Sequence, residues 1–311
     1  MKRILITGAT GQIGTELTMA LRAIYPPEQV VASGRRHMPP PEVSDSGPFF
    51  FVDVLDRERL SELVAEQAID TIFHLAALLS AKAEARPLLA WQVNISGLRN
   101  VLEVARRHGC ALFFPSSIAV FGPSTPREAT PQETVQRPTT IYGISKLAGE
   151  LLCDYYFHRY GVDCRGVRYP GLISAKTRPG GGTTDYAAEI FAHAVRHGSY
   201  ECYLRADSRL EMMFMADAIA AALGLMAAPA PDLRCRNGYN LSAMNFTPAE
   251  LAAAIQKQLP AFRMGYKVDP LRQAIADSWP ATIDDSVARA EWGWRPRYDL
   301  TAMVAEMLTD E

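Results

Sequence analysis

The sequence specifies an α/β protein, with a doubly wound parallel sheet followed by a smaller C-terminal α/β domain. Three observations predict this. Short β-branched or apolar runs alternate with helix-period segments through the first half of the chain. A glycine triplet straddles the first strand-to-helix turn, and after about Ser174 the alternation lapses. Strand–helix alternation calls for parallel strands with helices over both faces, because each crossover has to return across the sheet.

The elements follow in order. "RILITG" is a strand that runs into a helix over residues 12–24. "QVVAS" is the second strand, "PFFFVDV" the third and "DTIFHL" the fourth, the last followed by a long helix around residues 85–107. "ALFFPSS" is the fifth strand, and "VDCRGVRY" the sixth after a helix over about 142–160. Beyond these, "NFTPAEL" carries a capping box, with Thr247 as N-cap, Pro248 at the first helical position and Glu250 three residues on. Its helix runs to about Gln258. Helices without alternating strands predict a cap over the C-terminal sheet edge, where ligands of open α/β sheets bind. The expected division is 1–173, with 206–236 returning to it, and a substrate-binding part made of 174–205 and 237–311.

Composition narrows the function classes. The 311 residues carry a formal net charge of −2 and no basic stripe, which argues against a nucleic-acid partner. The longest apolar run, 218–231, contains Gly224 and two prolines and is too short to span a bilayer. The start has no h-region for secretion, so a cytoplasmic location is expected. The five cysteines show no C-x-x-C spacing and read as buried thiols in a reducing compartment, with neither a disulfide framework nor a metal site.

"TGATGQIG" sets Gly8, Gly11 and Gly14 directly after a strand and at the start of a helix. Glycine lets such a turn close and lets a pyrophosphate approach the helix N-terminus with its unpaired N–H groups. Nicotinamide dinucleotide sites usually carry an acid at the end of the second strand for the ribose hydroxyls. That strand here ends "ASGRR", with Gly34 at the acid's place and Arg35 and Arg36 after it. Arginine there pairs bidentately with a 2′-phosphate, so NADP stays open beside NAD. Asp53, ending the third strand, is placed to meet the adenine.

"YGISK" puts Tyr142 and Lys146 one helical turn apart on a shared face. A lysine ammonium and an oxidised nicotinamide both favour the phenolate, which makes the tyrosine a candidate base. Upstream, Ser116 and Ser117 end a strand at the same sheet edge, either of them able to hold a substrate oxygen. His74 reads as a packed strand-end histidine.

Together these parts resemble the extended short-chain dehydrogenase/reductase superfamily, a Rossmann-fold group that includes the nucleotide-sugar epimerases. "HLAA" at 74–77, "VNISGLRNVLEVAR" with Asn94 and "DDSVARAEWGWRP" match its recurring segments. The superfamily's S-x-x-x-[YF]-G spacing assigns the catalytic serine to Ser117. More specifically, "LLSAKAE", "PSSIAVFGPSTP", "RYPGLIS", "PGGGTTDYA", "YECYL", "MMFMADAI" and "DSWPATIDDS" resemble the short-chain type of L-threonine 3-dehydrogenase across nearly the whole chain.

That resemblance implies oxidation of L-threonine at C3 to L-2-amino-3-ketobutyrate with NAD taking the hydride, in a homodimer formed through the helices around 85–107 and 142–160. A nucleotide-sugar epimerase or dehydratase is the alternative. The implied catalytic set is Tyr142, Lys146 and Ser117. The implied cofactor contacts are Gly8, Gly11, Gln12, Ile13, Gly14, Arg35, Asp53, Val54, Leu75, Ala76, Ala77, Asn94, Ser116, Tyr169, Pro170 and Leu172, with Tyr142 and Lys146. For the substrate, the glycine-rich "GGGTT" reads as an anion-binding nest in which Gly181, Gly182, Thr183 and Thr184 grip the carboxylate. Thr183 or Thr184 can also cap the helix that follows. Ser80, Ser117, Tyr142 and Trp279 complete this pocket.

Overall fold

The structure, a computed structural model, describes residues 1–177 and 180–309. Arg178 and Pro179 of the glycine-rich segment, and the last two residues of the expected C-terminal division, lie outside the described residues. The strands in chain order are β1 (Ile4–Thr7), β2 (Val30–Gly34), β3 (Phe49–Phe51), β4 (Thr71–His74), β5 (Ala111–Ser117), β6 (Cys164–Tyr169), β7 (Gly171–Ile173), β8 (Ser199–Cys202), β9 (Leu210–Phe214), β10 (Tyr239–Asn240), β11 (Met244–Phe246) and β12 (Arg263–Tyr266). Among the described residues, seven of them form one parallel sheet in the order β10-β6-β5-β4-β1-β2-β3. The order reverses between β1 and β4, so a crevice opens above their carboxyl ends. This is a Rossmann-like α/β fold.

Helices α1 (Gln12–Ile24), α2 (Pro41–Ser44), α3 (Arg57–Glu66), α4 (Ser80–Ala85), α5 (Pro87–Trp91), α6 (Gly97–His108), α7 (Ile141–Tyr160), α8 (Tyr186–His197), α9 (Met215–Ala227) and α10 (Pro248–Gln258) follow or join these strands. Alternation along β1 sends Ile4 and Ile6 to the face covered by α1 and α9, and Leu5 to the face covered by α3, α6 and α7. A third core gathers α8, β8, β9, β11 and α10 around Tyr186, Phe191, Phe246 and Phe262. The capping box is present: the Thr247 hydroxyl accepts from the Glu250 N–H at 3.2 Å, and the Thr247 N–H donates to the Glu250 carboxylate at 2.9 Å.

Three expectations change. The segment after about Ser174 is not free of strands, since β11-β9-β7 and β12-β8 form small sheets there. The third strand stops at Phe51. The single helix around 85–107 is α5, a π-turn over Gln92–Ser96, and α6, with α4 ending before Pro87. Pro87 occupies the first position of α5, where its missing N–H costs nothing, and the π-turn accommodates Asn94, whose amide is drawn to neighbouring chain.

Candidate active site

The glycine turn between β1 and α1 is built for contact with backbone. Gly8 has φ of +75°, and a Cβ there would lie 2.7 Å from the Ala76 nitrogen. A Cβ on Gly14 would lie 2.2 Å from the Gly8 oxygen, so α1 can start this close to the turn only without one. Gly11 is the N-cap of α1 and makes no side-chain cap, leaving the first N–H groups of the helix directed at the crevice. Bare backbone at a helix N-terminus above a sheet switch point fits a dinucleotide pyrophosphate.

Facing this turn stand Tyr142, Lys146 and Ser117. Thr140 caps α7 by accepting from the Gly143 N–H at 3.0 Å. A Cβ on Gly143 would meet the Ala119 oxygen at 2.1 Å, so this glycine lets the start of α7 press against the chain just past Ser117. The Ser117 side chain stands beside the Tyr142 hydroxyl, close enough to favour its phenolate form. Burial pushes the tyrosine up to about 12, with Ser117 opposing it. Lys146 Nζ donates to the Pro115 carbonyl at 2.7 Å and lies 5.7 Å from the Tyr142 ring centre, and burial lowers it to about 8. Among the chain's own groups, desolvation therefore dominates at both the phenol and the ammonium. His74 is packed as expected, bonded to the Thr7 hydroxyl at 2.8 Å and lowered to about 3 by burial and by Lys146.

One cavity joins the two halves. Its walls include Gly8, Gly11, Gln12, Ile13, Gly14, Leu75, Ala77, Tyr169, Pro170 and Leu172, together with Ser116, Ser117, Tyr142 and Lys146. Beyond Tyr142 it reaches Ser80, Gly182, Thr183, Thr184 and Trp279. The Thr183 hydroxyl, buried in this wall, has no hydrogen-bond partner among the described residues. A buried orphan hydroxyl costs about 1–3 kcal/mol, so its position argues for a polar ligand. Cavity-lining residues not among the expected contacts are Pro115, Ile118, Gly171, Leu79 and, above all, Asp185.

The expected anion nest is already filled by the chain itself. Both the Gly181 and Gly182 N–H groups donate to Asp185 Oδ2 at 2.7 Å. These amides are therefore committed to a carboxylate of the same loop, and Gly181 stands outside the cavity wall. Neither Thr183 nor Thr184 caps α8, whose N-cap is Asp185 itself. Burial raises the Asp185 carboxyl, against the two amide bonds. An acid followed by a helix, three residues past the glycines, is the signal that could have found it.

Several other expected contacts lie off the cavity. Arg35 and Asp53 sit at the ends of β2 and β3, 3.8 Å apart. Val54 is packed under Gly97, and Ala76 forms the floor beneath Gly8. Asn94 bonds the Leu78 N–H (2.8 Å), the Leu78 carbonyl (3.1 Å) and Ser145 (3.0 Å), so it clamps the chain entering α4. Ser116 lines the cavity, but its hydroxyl donates to Glu150. Successive strand residues point to opposite faces, which leaves the Tyr142 partnership to Ser117.

The profile of the NAD dependent epimerase/dehydratase family matches residues 4–240. The chain belongs to this family. Family membership makes it an enzyme that works with a nicotinamide cofactor, and the bare glycine turn fits that group. An uncharacterized epimerase/dehydratase of Staphylococcus haemolyticus is 54% identical over 308 residues, covering 99% of this chain and 97% of that protein. Among solved structures, an L-threonine dehydrogenase from Clostridium difficile is 50% identical with a TM-score of 0.97, covering 100% of this chain and 97% of that one. An L-threonine dehydrogenase from Phytophthora infestans is 49% identical with a TM-score of 0.95, covering 99% and 98%. Within the epimerase/dehydratase family, then, this member is similar to threonine dehydrogenases over essentially its whole length.

Proposed function

We propose that the enzyme oxidises L-threonine at C3 to L-2-amino-3-ketobutyrate, with NAD as the hydride acceptor. The observation that carries this reading is the single cavity in which the Tyr142–Ser117 pair faces both the glycine turn and the orphan hydroxyl of Thr183. The threonine dehydrogenases it resembles support the choice of substrate. When bound, the nicotinamide ring accepts the hydride and brings positive charge beside the phenol. Tyr142, as phenolate, removes the C3 hydroxyl proton. Ser117 holds the same oxygen as it becomes a carbonyl. Lys146, held by the Pro115 carbonyl, keeps a cation behind the tyrosine.

At the far end, Asp185 offers a carboxylate to the substrate ammonium, and the Thr183 and Ser80 hydroxyls serve its carboxylate. This replaces the amide nest by side chains. In this division of labour, residues 1–173 with 206–236 carry the cofactor and the reacting groups, and the remainder completes the substrate end of the cavity. The five free cysteines suit a reducing cytoplasm.

Reduced-nicotinamide absorbance with purified protein and L-threonine is the direct test. Turnover supports the reading. Interconversion of a nucleotide sugar with no net reduction, and no turnover of threonine, overturns it in favour of an epimerase. The pH profile adds a second expectation. Only the deprotonated tyrosine accepts the proton, and burial holds that group high, so kcat/KM should rise with pH between about 7 and 10. A flat or falling profile would contradict Tyr142 as base.

The quaternary reading is a homodimer. Leu88 and Trp91 of α5, and Leu151 and Tyr155 of α7, are large apolar side chains left exposed on adjacent helices. Light scattering should return twice the chain mass, and Leu151→Arg should shift the protein toward monomer. A wild-type monomer would refute the pairing.

A further inference from the structure

The end of β2 carries charge that the proposed mechanism does not use. Gly34 closes this strand and is tied to its surroundings on both sides: the Ser33 carbonyl accepts from the Ala9 N–H of the glycine turn at 2.9 Å, and the Gly34 carbonyl accepts from Val52 at 2.9 Å. A Cβ at position 34 would meet Thr10 Cγ2 at 3.1 Å and Phe49 Cζ at 3.2 Å. The place where a dinucleotide site usually carries an acid is thus tight against any side chain, and the chain has none there. Arg35 and Arg36 follow directly. Arg35 faces Asp53 at 3.8 Å, with both side chains substantially exposed, while Asp53 also accepts from the Leu55 N–H at 3.0 Å. Arg36 is exposed and has no ion-pair partner among the described residues.

An acid at this strand end favours an unmodified ribose in two ways, accepting its hydroxyl hydrogens and repelling a 2′-phosphate. Here both effects are absent, and two guanidiniums stand in their place. A loose, solvated contact such as Arg35–Asp53 is readily exchanged, because exposed pairs at this separation hold little net attraction. A phosphate dianion offers Arg35 a better partner, with bidentate, charge-assisted hydrogen bonds.

We propose that this chain binds NADP at least as tightly as NAD, with Arg35 and Arg36 gripping the 2′-phosphate beside Gly34. The proposal rests on the reading of the cavity as a dinucleotide site and goes beyond it by admitting the 2′-phosphorylated cofactor beside NAD. In the bound complex two anions are met at neighbouring points, the pyrophosphate over the glycine turn and the 2′-phosphate at the end of β2. The Ala9–Ser33 hydrogen bond holds these two points in register.

The test is a binding titration of the full chain with NADPH and with NADH, without threonine, followed by calorimetry or nucleotide fluorescence. A Kd for NADPH equal to or below that for NADH is expected, with NADPH weakening more steeply as KCl is raised. In Arg35→Ala/Arg36→Ala the ratio of the NADPH Kd to the NADH Kd should rise about tenfold or more. Tighter binding of NADH by the unaltered chain, or a ratio unmoved in the double variant, would overturn the proposal while leaving the dinucleotide site intact. Binding of neither nucleotide would instead remove the cofactor reading on which it rests.

Discussion

Tyr142→Phe should retain dinucleotide binding and lose about a thousandfold of its turnover with L-threonine. The substitution removes one oxygen and keeps the ring, which packs against the third core beside Leu147. What disappears is the hydroxyl that Ser117 stands beside, on the ring that the Lys146 ammonium faces. No other side chain at this point can take its role. His74 is held low by burial, is bonded to Thr7 and stays neutral at physiological pH. Asp185 lies in the part of the cavity assigned to the substrate ammonium. Nucleotide fluorescence should therefore report cofactor affinity near that of the unaltered protein while the absorbance assay falls close to background. Turnover within tenfold of normal would remove tyrosine as the base.

The largest stability effect is expected away from the cavity. Glu150 and Arg168 form an ion pair at 2.9 Å with both side chains almost wholly buried between α7 and β6. Glu150 accepts two hydrogen bonds from Arg168 and one from Ser116, and Arg168 also donates to the Gln132 carbonyl and to Asn240. An exposed pair of this kind contributes about 0–1 kcal/mol, but removing one member of a buried pair strands the other and costs about 3–5 kcal/mol. Arg168→Met should lower unfolding free energy by that amount in urea titrations. Replacing both partners, as in Glu150→Leu/Arg168→Met, should recover much of the loss, since no uncompensated charge remains. A single variant as stable as the unaltered chain would show that the pair is dispensable.

Much of this fold is legible because it follows from short-range rules. The alternation of β1 to β6 with helices, the start of α1 at Gln12 and the capping box at Thr247 each depend on residues within a few positions of one another. The Tyr142–Lys146 spacing belongs to the same class, because helical geometry alone places the two on one face. Other features resist such reading. The break at Gln92–Ser96 reflects Asn94 reaching back to Leu78, a contact between residues 16 positions apart in the chain.

What the sequence by itself determined is therefore the doubly wound sheet, the bare glycine turn at the start of α1, and the tyrosine–lysine pair, all of which follow from local periodicity and the steric freedom of glycine. The tertiary structure decided which of two adjacent serines meets Tyr142, that Pro115 holds Lys146, and that the glycine-rich loop spends its amides on Asp185. Those choices depend on which face a strand turns toward α7, and on which acceptor reaches a free N–H first in three dimensions. Burial then sets the chemistry: the same tyrosine and lysine that share a helical face have their proton affinities governed by the desolvation the assembled cavity imposes.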